Sequence, residues 1–165
     1  MGGVTIRLFE TEDFLGCAAL AAQFRSELDA LKGIVREPSL KRGEQELQDY
    51  LDANFFVYVA CEAQKLLGFV VCRVDGGVVW LEAIFTSPAA RRKGVASALF
   101  CEAERLAKEN GEPTVYNWVH PNNEKMLNLL AKRGYRVLNL IEVRKAYEGE
   151  NLTQKIPVGE REFDY

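Results

Sequence analysis

The chain has 165 residues, with 21 Lys and Arg against 24 Asp and Glu for a formal charge of −3. That length suits one domain whose folding removes about 70% of the unfolded chain's surface from water. With 48% apolar and 27% charged residues, the composition excludes a disordered, collagen-like or low-complexity chain, and the slight acidity argues against a nucleic-acid binder.

The longest apolar runs, such as residues 66–72, fall far short of the roughly 20 residues of a membrane span. No basic stretch followed by an apolar one opens the chain, so no secretory signal is expected and a cytoplasmic location is. Cys17, Cys61, Cys72 and Cys101 show no CxxC spacing, and the lone His120 lies far from them in sequence. They are expected to be four buried, reduced thiols, with no metal site.

Residues 4–9 alternate as a short strand. Thr11, followed by Glu12 and Asp13, reads as a helix N-cap with acidic residues in the first turn. Phe14, Cys17, Ala18, Ala21, Phe24, Leu28 and Leu31 keep helical spacing over 14–31, and Gly33 ends the run. Residues 33–43, with Gly33, Pro38 and Gly43, read as a loop or a broken helix, and 44–53 as a short amphipathic helix.

Strands follow at 55–61, 66–74 and 78–86, joined by tight turns at 62–65 and 75–77, which makes an antiparallel meander. Helix 94–110 closes at Gly111, strand 114–119 follows, and helix 124–133 closes at Gly134. A long strand is predicted over 135–144, a polar loop over 145–154, and a last strand or hairpin over 155–165. Strand 78–86, helix 94–110 and strand 114–119 form a βαβ unit, so its two strands are expected to be parallel neighbours. No repeat or second domain is visible, and the whole of 1–165 is taken as one domain.

The informative stretch runs from Thr86 through Pro88, Arg91, Arg92, Lys93 and Gly94 to Ser97. A strand ends, a basic run follows, and a helix begins at a glycine. Unpaired N–H groups and the partial positive charge of a helix start suit a phosphate, and the basic side chains add charge-assisted partners. The stretch is neither GxxxxGK[ST] nor GxGxxG, so nucleoside-triphosphatase and Rossmann sites are poor matches. Its local alternative is a solvated basic turn before an ordinary helix.

Arg91-x-x-Gly94-x-Ala96 after a strand, with Pro88 six residues before the glycine, resembles the GNAT superfamily of N-acetyltransferases. Asn123-x-x-Met126-x-x-Leu129-Leu130-Ala131-Lys132-Arg133-Gly134-Tyr135 is similar to that family's second signature, and the element order is also similar. The resemblance implies an α/β (α+β) fold with a mixed, mainly antiparallel central sheet, a splayed parallel strand pair and flanking helices. It implies acetyl-CoA as acetyl donor and direct transfer to a primary amine of a small molecule or a peptide N-terminus.

Residue by residue, the resemblance implies that the backbone of Ile84, Phe85 and Thr86 pairs with the pantetheine arm. Arg91, Arg92, Lys93, Gly94, Val95, Ala96 and Ser97 would hold the pyrophosphate, and Asn123 would contact the cofactor beyond the thioester. Glu82 is the candidate base, directly or through water. Strand alternation gives it one face with Trp80, Ile84 and Thr86, and orienting substrate or pairing with a basic neighbour are its alternatives.

The family tyrosine often assigned to protonate the thiolate falls on Leu130, which removes the usual donor. Tyr116, Tyr135 and His120 are weaker candidates, while Trp80 and Trp118 are expected mainly to pack in the core. Glu27, Asp29, Glu37, Glu44 and Glu46 lie where acceptor specificity resides in the family, and favour a cationic amine. A noncatalytic acyl-CoA-binding sensor and a nucleotide-binding protein are the competing readings, and exposed C-terminal strand edges invite a homodimer.

Overall fold

Gly76 and Gly77 both adopt left-handed backbone (φ 57° and 84°), as a two-residue turn matched to the twist of its strands requires. That turn fixes Asp75 opposite Val78 and with it the pairing of the two long central strands. In this computed structural model, which describes residues 3–165, the chain forms two compact units, one up to Trp118 and one over Val119–Tyr165. Residues 1 and 2, part of the single-domain expectation, lie outside the described residues.

The first unit holds β1 (Thr5–Leu8), α1 (Phe14–Leu31), α2 (Leu40–Asp52), β2 (Phe56–Glu62), β3 (Lys65–Asp75), β4 (Val78–Thr86), α3 (Val95–Glu109) and β5 (Val115–Asn117). Its sheet has the order β1-β2-β3-β4-β5. The first three pairings are antiparallel and the last is parallel, as the turn lengths and the βαβ unit require.

One sheet face is covered by α1 and α2. Cys17, Ala18, Leu20, Ala21 and Leu47 pack there on Val57, Val59, Phe69, Val71, Ala83 and Phe85. The other face meets α3, whose Leu99, Phe100 and Ala103 are fully buried. Leu99 and Phe100 each contribute about 1.5–3 kcal/mol on leaving water.

Three differences from the sequence reading have local causes in this unit. Thr11 does not cap α1. Residues Thr11–Asp13 form a 3-10 turn, closed by a capping box between Glu10 and Asp13, and Asp13 leads into the helix. Helix α2 starts at Leu40 rather than 44 because Ser39 caps it, its side chain accepting from the Arg42 N–H. Gly43 is therefore helical rather than a loop residue. It is the point where α2 touches α1, and a Cβ there would lie 2.0 Å from the Ala18 carbonyl oxygen.

The second unit holds α4 (Glu124–Lys132), β6 (Lys155–Val158) and β7 (Arg161–Asp164). Asn123 caps α4 by accepting from the Met126 N–H, and β6 and β7 form the hairpin expected at the C-terminal end. The predicted strand over 135–144 does not form. That stretch carries apolar side chains on both of its alternate sets and finds no ladder, which leaves Val137 90% and Leu140 77% exposed. Among the described residues, no helix is long and apolar enough to cross a membrane.

Candidate active site

Strands β4 and β5 are paired for only three rungs, Val79–Val115, Trp80–Tyr116 and Leu81–Asn117. Beyond Leu81, β4 continues to Thr86 on its β3 side alone. Among the described residues, the edge formed by Glu82, Ala83, Ile84, Phe85 and Thr86 thus has no strand partner on the β5 side, with only the Thr86 carbonyl taken, by Arg91 Nε. Such an edge presents unpaired backbone groups to any chain-like ligand that can form a ladder. Glu82 and Trp118 are the first residues beyond the last rung on each side of this notch.

A β-bulge lies at the same point, where Val71 opposes Ala83 but Cys72 opposes Leu81. Glu82 is the extra residue. A bulge re-aims side chains, and the expected sharing of one face by Trp80, Glu82, Ile84 and Thr86 is broken. Trp80 lies opposite Arg73, which has the parity of Phe69 and Val71 on the α1 and α2 face. Ile84 lies opposite Val70 and Thr86 opposite Gly68, on the α3 face.

Glu82 Oε1 accepts from Arg73 Nε at 2.7 Å, and the glutamate side chain is 18% exposed. Arg73 also donates to Asp75 and stands over the Trp80 ring, 5.4 Å from its centroid. Trp80 in turn touches Tyr116 (5.1 Å between ring centroids) and Trp118 (5.2 Å). Trp118 is 69% exposed, which corrects the expectation that it packs in the core. The sequence reading missed Arg73, although the signal was present. The two-glycine turn sets Asp75 opposite Val78, and counting two residues back along each strand brings Arg73 to Trp80.

The basic stretch folds as a tight loop into α3. Arg92 and Gly94 are both left-handed (φ 61° and 82°), and nothing lies within 4 Å of where a Gly94 Cβ would be. Val95 and Ala96 open the helix, so their N–H groups have no carbonyl one turn back. Arg92 and Lys93 are exposed. Arg91 is turned inward. It donates through Nε to the Thr86 carbonyl and through Nη2 to Glu27, and stands over the Phe85 ring. Its guanidinium ties this loop to β4 and α1. Near the notch and the loop, Thr86 Oγ1, Ser87 Oγ and Asn117 Oδ1 are buried with no partner among the described residues. Buried polar atoms are nearly always paired, so these suit the channel of a polar ligand.

The acidic residues expected at the acceptor mouth are largely neutralised. Glu27 meets Arg91, Asp29 meets Arg42 and Arg36, and Glu46 meets Arg25. Arg25, Glu46 and Tyr50 also line a shallow depression of about 330 Å³, to which no notch residue contributes. Burial pushes the Cys17 and Cys72 thiols up to about 12. Cys61 is buried too, whereas Cys101, expected buried, is exposed.

In the second unit, Leu130 is buried in α4 where the family tyrosine was expected. His120 Nδ1 accepts from the Asn122 N–H, with the His120 ring beside Tyr165. The Tyr135 N–H donates to the Leu130 carbonyl.

The sequence model of the acetyltransferase (GNAT) family matches residues 9–135. No curated protein matches the chain. Among solved structures, AAC(6')-Iy in complex with the bisubstrate analog CoA-S-monomethyl-acetylneamine superposes with a TM-score of 0.69 at 17% identity, covering 88% of this chain and 99% of that one. The PaiA N-acetyltransferase of Thermoplasma acidophilum, in complex with coenzyme A, gives 0.67 at 20% identity, covering 79% and 88%. A transcriptional regulator from Bacillus halodurans C-125 gives 0.66 at 20% identity, covering 88% and 100%. At such identities the neighbours speak to the fold, a mixed and mainly antiparallel sheet with one parallel pair between helices. With more than three quarters of its length under the family model, the chain belongs to the acetyltransferase (GNAT) family.

Proposed function

We propose that the protein is an acetyl-CoA-dependent N-acetyltransferase that moves an acetyl group directly to a primary amine, on a small molecule or a peptide N-terminus. The observation that carries this reading is the parting of β4 from β5 at Glu82, beside a helix that begins in a basic loop. Solved neighbours hold coenzyme A or a CoA bisubstrate analog, and the unpaired polar atoms at Thr86, Ser87 and Asn117 fit a polar ligand there.

When bound, acetyl-CoA supplies the acetyl thioester. The open backbone of Ile84, Phe85 and Thr86 pairs with the pantetheine amides. Arg92 and Lys93, with the N–H groups of Gly94, Val95, Ala96 and Ser97, take the pyrophosphate, and Arg91 braces that loop from behind. Asn123, carried over from the family resemblance alone, is a further cofactor contact. Glu82 accepts the proton of the incoming ammonium, directly or through a water, so that the nitrogen attacks the acetyl carbon. A backbone N–H of the open edge meets the negative charge that grows on the acetyl oxygen. The new C–N bond replaces the C–S bond, and the CoA sulfur departs as thiolate without a dedicated acid and takes up the second proton of the nitrogen, directly or through water.

Leu130 supports a second reading, a noncatalytic acyl-CoA sensor, because it provides no proton donor. We further propose a cytoplasmic protein, one acetyltransferase domain over 1–165, and a homodimer that covers the exposed apolar stretch from Val137 to Val143; light scattering reads the last.

The test of function is product formation. Acetyl-CoA and a broad panel of amines and short peptides are incubated with wild type and Glu82→Gln, and products are read by mass spectrometry. The expected result is an acetylated amine from wild type and a loss of about 10²- to 10⁴-fold in Glu82→Gln, the usual range for removing a general base, with CoA binding retained. CoA binding without any product would favour the sensor.

A further inference from the structure

Three aromatic side chains crowd the acceptor side of the notch, and the reaction as described uses none of them. Trp80 and Tyr116 form a rung of the parallel pair. Trp118 is the residue just past the last rung, its indole inclined at 49° to that of Trp80. All three are linked to the candidate base through Arg73, which covers Trp80 and holds Glu82.

The parity of β3 puts Arg73 and Trp80 on the α1 and α2 face, whereas the helix of the basic loop packs on the other face. A donor entering from α3 and an acceptor lying on the aromatic side therefore meet at Glu82. The platform also has a charge preference, since Arg73 is outnumbered by Glu82 and Asp75, which gives a local balance of one negative charge suited to an ammonium.

We propose that Trp118, supported by Trp80 and Tyr116, is the specificity surface for the acceptor, and that it selects primary amines whose ammonium is carried close to a flat aromatic ring. This rests on the acetyltransferase reading and names its substrate class. An indole that is 69% exposed gains most from a partner that covers its face, and an aromatic ring does so by offset stacking. A sugar ring would bring several hydroxyl groups needing partners, and Arg73 Nε and Nη1, two of the donors beside the wall, are already given to Glu82 and Asp75. The carboxylate then takes the ammonium end while the indole takes the ring.

The chain contains two tryptophans, both in this platform, so indole emission reports the site without any turnover. The probes are 2-phenylethylamine, n-hexylamine of the same charge and similar apolar bulk, and 6-amino-6-deoxyglucose, each titrated into the protein–CoA complex. The expected order is 2-phenylethylamine tighter than n-hexylamine by about tenfold, the scale of one aromatic stack, with the amino sugar weakest. Trp118→Ala should collapse the ratio between the first two toward one, and Trp118→Phe should restore part of it; calorimetry serves for the variants, whose emission is altered.

Equal affinities in wild type, a preference that survives Trp118→Ala, or tightest binding of the amino sugar would each overturn the proposal. The parallel readout is acetylation of the same amines. Ring preference in binding with no acetylated product would leave the platform standing and remove the enzyme reading. Acetylation with no ring preference would do the reverse.

Discussion

Glu82 gains its position from a single inserted residue. Without the bulge, strict alternation would set it on the face of Ile84; with it, the carboxylate reaches Arg73 beside the aromatic wall. Simple parity misplaces the residue because alternation holds only within an unbroken ladder. The motif residues were legible, since Gly94 is left-handed where a glycine is needed, but the inward turn of Arg91 was not, because Glu27 lies 64 residues away in the chain.

At the same scale, Asp13 joins the first strand to the first helix. Two Arg7 nitrogens donate to its carboxylate, with a further bond from the Glu10 N–H. The Arg7 hydrogen bond, helped by Glu10 and opposed by burial, holds this carboxyl below its usual value. A lowered value means the stabilisation is fully present above the unfolded carboxyl's pKa of about 3.9 and is lost as pH falls through the folded one. Urea midpoints taken from neutral to acid pH should therefore fall less steeply in Asp13→Asn than in wild type at the acid end. Parallel curves would refute this assignment.

Among the elements, helices and the meander were readable because each carries its own period. Spacing marked α1 from Phe14 to Leu31, and the strand after the Gly76–Gly77 turn ran from Val78 to Thr86 as expected. The start of α2 was less legible, since Gly43 reads locally as a breaker yet serves a contact between helices. Gly43→Ala gains about 1 kcal/mol in helix propensity but drives a methyl into the Ala18 carbonyl. Overpacking against backbone costs about 1–3 kcal/mol, so the clash prevails and the melting temperature should drop.

Gly16→Ala in α1 is the comparison, because there the nearest atom, at 3.0 Å, is the tip of the flexible Leu66 side chain. That variant should be near neutral. Equal stability of the two variants would refute the close approach of α1 and α2. The stretch 135–144 shows the opposite limit of sequence reading, since β-branched and apolar residues announce a strand whose partner local sequence cannot name.

Across the described residues many charges are paired, with arginines answering Glu27 and Asp29 of α1 and Glu46 of α2. In the ordered ladder of the first unit, the edge of β4 lies open after Leu81. The family model spans residues 9–135, and the central claim is that this edge and the start of α3 together receive the acetyl donor. Hydrogen exchange read by mass spectrometry, with and without CoA, tests it most directly. Unpaired backbone amides exchange quickly until a ligand pairs them. The account predicts that CoA slows exchange in peptides covering residues 82–86 and 91–97, and leaves the α1–α2 pair unchanged. CoA binding with no protection at those two segments would contradict it.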